Sequence, residues 1–92
     1  MTLPNMSTMD KPELQKLVGK KIKELREQEG LTQLQLTVRI VELGGKMDAT
    51  NISRIESGRT NISLHQLYRI GKALDIPMKN FLDIEDLAIY DI

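Results

Sequence analysis

Asp48-Ala49-Thr50-Asn51-Ile52-Ser53-Arg54-Ile55-Glu56-Ser57-Gly58 is the stretch that decides the fold. It opens on a residue able to cap a helix N-terminus and closes on Ser-Gly, and Ile52 and Ile55 give it a single narrow apolar stripe. Ala49, Thr50, Asn51, Ser53 and Arg54 leave a face of small hydrogen-bonding side chains and one guanidinium. Such a face suits a polar, patterned partner. The major groove of DNA is one, because Asn can pair with adenine, Arg with guanine, and small methyl-bearing groups can touch thymine. The competing reading of these residues alone is an ordinary solvated amphipathic helix.

Upstream, Leu31-Thr32-Gln33 starts another helix. Thr32 can cap it, and Gln33 falls in its first turn, where backbone donors and the positive end of the helix dipole favour a phosphate. Leu36, Ile40 and Leu43 form its expected buried stripe. Leu34, Val38 and Val41 form a second stripe on nearly the opposite face, which is either a contact surface or is covered by the Gly44–Met47 connector folding back. Before this helix, Asp10-Lys11-Pro12-Glu13 has a capping residue, an early proline and a Glu able to reach back to the cap. Leu14, Leu17 with Val18, Ile22 and Leu25 then recur at helical spacing until Gly30. Lys16, Lys20, Lys23 and Glu27 read as solvated charge on the opposite face.

Downstream, Ser57 to Ile62 is a loop rich in turn formers, and Ser63-Leu64-His65-Gln66 is a second capping box. Leu64, Leu67, Ile70 and Leu74 point inward in the helix that follows, and Gly71 allows a close approach. Pro77 can open a fifth helix, for which Met78, Phe81 and Leu82 supply an apolar face. No segment shows strand alternation. The pattern predicts an all-α bundle of five helices, with residues 1–9 as an N-terminal arm, 10–82 as the domain and 83–92 as an acidic, apolar C-terminal tail.

Ninety-two residues with 40% apolar content suffice for one small domain with a core. There are no cysteines, so disulfides and thiolate metal sites are excluded. No apolar stretch is long enough to span a bilayer, and Met1 to Asn5 lack the regions of a signal peptide, so a cytoplasmic location is expected. Net charge is zero but unevenly placed. Residues 11–79 carry all 13 basic side chains against Glu13, Glu24, Glu27, Glu29, Glu42, Asp48, Glu56 and Asp75, whereas Asp83, Glu85, Asp86 and Asp91 follow with no base. A modestly basic body with an acidic tail is compatible with phosphate contact. His65 is the sole histidine. The carboxylates show no acid/base pairing, and no glycine-rich phosphate loop is present, so an enzyme and a cofactor are not expected.

In their order, Leu31-Thr32-Gln33, Ile52-Ser53-Arg54-Ile55-Glu56-Ser57-Gly58-Arg59 and Leu67 through Leu74-Asp75-Ile76-Pro77 resemble the phage-repressor and Cro-type (XRE) helix-turn-helix family, from about Leu17 to Leu82. The Gly44–Met47 turn places the chain with a longer-turn branch. The resemblance implies a lambda-repressor-like bundle whose third helix lies in the major groove, with Ala49, Thr50, Asn51, Ser53 and Arg54 toward bases. Gln33, Ser57, Arg59, Thr60 and Asn61, at a helix start and in the loop beyond the third helix, are the expected phosphate contacts. It also implies an ion pair between Arg26 and Glu56. The function implied is a sequence-specific transcriptional regulator, a repressor, acting as a homodimer on double-stranded DNA, its seam being the tail (Ile84, Leu87, Ile89, Tyr90, Ile92) or the Leu34/Val38/Val41 stripe. The alternative is an antitoxin or another protein-interaction module on the same scaffold, binding a partner protein such as a toxin and, as an antitoxin, its own promoter too.

Overall fold

Each α-helix among the described residues begins at a side chain that closes its first turn. In the computed structural model, which describes residues 9–84, these are α1 (Lys11–Gln28), α2 (Gln33–Glu42), α3 (Ala49–Glu56) and α4 (Leu64–Leu74). Asp10 accepts the Glu13 N–H at 2.9 Å, although Glu13 returns no bond to the cap. Thr32 and Gln35 form a reciprocal box at 3.1 and 2.8 Å. Ser63 and Gln66 form another at 3.0 and 2.9 Å. Each box satisfies two backbone donors that a bare helix start would leave open.

The fifth helix expected after Pro77 is instead a 3-10 helix, Met78–Leu82, so the described residues of the all-α bundle hold four α-helices. Pro77 sits at φ −59°, ψ 140°, outside the helical region, and only five residues follow before the turn ends. So short a piece cannot repay the nucleation of an α-helix, and it settles into three-residue bonds such as Asn80 N–H to Pro77 O at 3.0 Å. Phe81, fully buried, pins it to the core.

Val18, Ile22, Leu36, Ile40, Ile52, Ile55, Leu67, Ile70, Leu74 and Phe81 build that core. α1 lies against α3 and the 3-10 helix, and α2 lies against α3 and α4. Gly19 makes the α1–α3 approach possible, because a Cβ there would collide with the carbonyl oxygen of Ile55 and lie 2.8 Å from that of Glu56.

Several apolar side chains expected inside are exposed. Leu43 is the C-cap of α2, after which the chain turns at Gly44 and tucks Gly45 over Ile40 through a 2.9 Å bond to its carbonyl. Leu64 is the first residue of α4 and Leu14 lies in the first turns of α1, both past the edge of the core. Together with Leu82 they line a shallow groove over Ile62 and Leu67. Leu34, Val38 and Val41 also stay exposed, at 63%, 49% and 54%. The connector therefore does not cover them. It runs toward the core, where Met47 is buried. The expected N-terminal arm (apart from Met9) and the tail residues Leu87, Ile89, Tyr90 and Ile92 lie outside the described residues. No described helix is long and apolar enough to cross a membrane.

Candidate nucleic-acid interface

α3 is divided cleanly between a buried frame and an open face. Ile52, Ile55 and Glu56 are buried, whereas Thr50, Asn51 and Arg54 are exposed and Ala49 and Ser53 are half-buried. The division follows the sequence: the two isoleucines and the glutamate fall on one side of an eight-residue helix, and burying Ile52 alone contributes about 1.5–3 kcal/mol.

Glu56 fixes how that face is aimed. Its Oε2 accepts from Arg26 Nε at 2.6 Å, and its Oε1 accepts from Arg26 Nη2 at 2.8 Å and from Gln33 Nε2 at 3.0 Å. The third arm of the guanidinium, Nη1, donates to the carbonyl of Leu31. One carboxylate thus ties the last turn of α1, the start of α2 and the end of α3 together, through the two-point geometry that suits Arg to carboxylate. The bond to Glu56, aided by its charge and that of Glu27, raises the Arg26 pKa against the opposing effect of burial. Arg26 stays a cation. The pair expected between Arg26 and Glu56 is present, but the third partner was hidden in the sequence: Gln33, half-buried, has its amide nitrogen turned inward to Glu56.

The N-terminus of α3 is closed by Asp48, whose Oδ1 accepts the Asn51 N–H at 2.8 Å while Asn51 Oδ1 accepts the Asp48 N–H at 3.2 Å. Both side chains are exposed at the end of the helix that carries the positive half of its dipole. At the other end, Gly58 adopts φ 76° and lets the Arg59 N–H return to Arg54 O at 2.9 Å. Ser57 Oγ donates to the same carbonyl at 3.1 Å and accepts from Arg59 Nε at 3.0 Å. This relay holds the Arg59 guanidinium across the end of α3, where it also opposes the negative end of the dipole. Thr60 and Asn61 follow, both exposed.

The structure therefore brings Thr50, Asn51, Arg54, Ser57, Arg59, Thr60 and Asn61 onto the exposed surface of α3 and the loop after it. It adds one residue that the sequence pattern assigned to a solvated face. A Cβ on Gly58 would stand 2.7 Å from the Cα of Lys16, so Lys16 of α1, itself exposed, flanks this loop. No spacing rule could have placed it there, since the contact depends on how α1 crosses α3. His65 is exposed and stacks on Tyr68, with ring centroids 6.3 Å apart.

A family model described as helix-turn-helix matches residues 22–81. Among solved structures, the chain resembles the restriction-modification controller protein C.AhdI from Aeromonas hydrophila, with a TM-score of 0.71 and 26% identity. The alignment covers 79% of this chain and 99% of that one. No curated protein sequence gives a significant match.

Proposed function

Because the chain belongs to the helix-turn-helix family, we propose that it is a sequence-specific DNA-binding transcriptional regulator, a repressor, that inserts α3 into the major groove. The observation that carries this reading is the division of α3. Its apolar side and Glu56 are locked to two other helices, and its outer side is a set of unburied hydrogen-bonding groups. Thr50, Asn51 and Arg54, with Ala49 and Ser53 beside them, face base edges in this arrangement. Ser57, Arg59, Thr60 and Asn61, with Lys16 at their flank, meet the phosphate backbone, and Gln33 joins them through what its bond to Glu56 leaves open. The similarity to a restriction-modification controller protein supports a regulatory role.

The protein acts as a two-fold homodimer, because one eight-residue helix spans only a few base pairs and paired half-sites about one helical turn apart supply the rest. The groove lined by Leu14, Leu64 and Leu82 includes, in Leu82, a residue two positions before the apolar tail begins in sequence at Ile84. With the apolar residues that follow in sequence, it forms the seam between two copies. Selection from random duplex DNA tests the function directly. The expected product is a palindromic motif, and Arg54→Ala relaxes the preference at one base position of each half-site by about 1–3 kcal/mol. Enrichment of no motif, or equal loss of affinity on all sequences, would overturn the assignment.

A further inference from the structure

The cap of α3 occupies half of the Asn51 side chain. A backbone N–H can be satisfied only by an acceptor, so the atom 3.2 Å from the Asp48 nitrogen is the amide carbonyl oxygen of Asn51. The other half of the amide, Nδ2, has no hydrogen-bond partner among the described residues, and Asn51 is exposed. Gln35 and Gln66 do the same service at the starts of α2 and α4, but only in α3 does the capping amide stand on the face assigned to base reading. Arg54, one turn along the same helix, adds further donors and no acceptor.

We infer that Asn51 reads DNA as a donor alone and faces a guanine, not the adenine with which asparagine is usually paired. The inference rests on the proposed function and specifies its chemistry. Pairing with adenine needs both ends of the amide at once, Oδ1 accepting from N6 and Nδ2 donating to N7. Here Oδ1 is directed back to the start of the helix, and freeing it would reopen a helix cap. Guanine asks for nothing from Oδ1. Its major-groove edge offers two adjacent acceptors, N7 and O6, to the two protons of Nδ2, whereas thymine offers a single acceptor beside a methyl group.

The test is binding-site selection with the wild-type protein, Asn51→Ala and Asn51→Asp. Asp at this position retains an oxygen for the Asp48 N–H and lacks donors, so α3 keeps its cap; circular dichroism melts confirm that each variant is folded. The expected result is one position per half-site that is guanine with the wild-type protein and loses that preference in both variants. Replacing that guanine by 7-deazaguanine, which lacks N7, should weaken wild-type binding by about three- to tenfold and leave Asn51→Ala binding unchanged. Adenine, thymine or cytosine at the Asn51-dependent position overturns the inference, as does a motif that no Asn51 variant alters. In either case the proposed function stands. A wild-type protein that selects no sequence would remove both.

Discussion

Glu56→Gln should destabilise the protein far more than the loss of one surface charge. The carboxylate and the Arg26 side chain are only 3% and 7% exposed, and three side-chain donors converge on the two carboxylate oxygens. A neutral amide keeps the shape but offers the buried guanidinium one weak acceptor where two carboxylate oxygens stood, with only the Leu31 carbonyl besides. Breaking a buried ion pair in this way costs about 3–5 kcal/mol. Against a total stability of about 5–15 kcal/mol for a domain, that is a large share. At about 4–8 °C per kcal/mol for a chain of this size, the melting temperature falls by more than about 12 °C. Arg26→Met should cost a similar amount, because it leaves the carboxylate buried with only Gln33. The double variant should be far less damaged than the sum of the two, and melts of all four proteins give that coupling. The sign of its pH dependence is fixed as well. Since the Arg26 pKa is raised, its contribution is complete below the ordinary arginine range and is lost only as pH climbs through the higher folded value. Between about pH 7 and 10 the coupling should therefore be flat. Additive losses each below about 1 kcal/mol, as exposed pairs give, would refute the picture of a buried three-helix clasp.

Gly19→Ala adds a methyl group where the Ile55 and Glu56 carbonyls leave no room, and should destabilise by about 1–3 kcal/mol in denaturant titration despite the better helix propensity of alanine. Arg59→Ala should weaken binding to every duplex alike and lower the slope of log affinity against log salt by about one unit. A changed motif with an unchanged slope would instead make Arg59 a base reader. Truncation after Ile84 should leave the melting curve nearly intact and convert dimer to monomer in sedimentation. If the truncated protein stays dimeric, Val38→Glu, on the exposed α2 stripe, should separate the subunits.

What could be foreseen from the sequence was local. Asp10, Thr32, Asp48 and Ser63 each cap the helix that their position announced, because capping is decided within three residues. Positions at element ends were harder. Leu14, Leu43 and Leu64 have the right period to be buried, yet period says nothing about where a helix outruns the core. Pro77 announced a new helix but not that it would stay a 3-10 turn. The candidate interface shows the same boundary. The outer face of α3 followed from its own residues. The inward turn of the Gln33 amide, the Gly19 crossing and the place of Lys16 beside Gly58 depend on contacts between distant segments, and no spacing encodes them.

The split character of α3 bears on how such a protein can diverge. Ile52, Ile55 and Glu56 serve folding, and Asp48 and Asn51 serve the cap, so mutations there carry a cost in stability. Ala49, Thr50, Ser53 and Arg54 carry no such duty in their side chains. A duplicated copy could drift at these sites to a new operator without passing through an unstable ancestor, so regulatory circuits built on this scaffold can be rewired one side chain at a time.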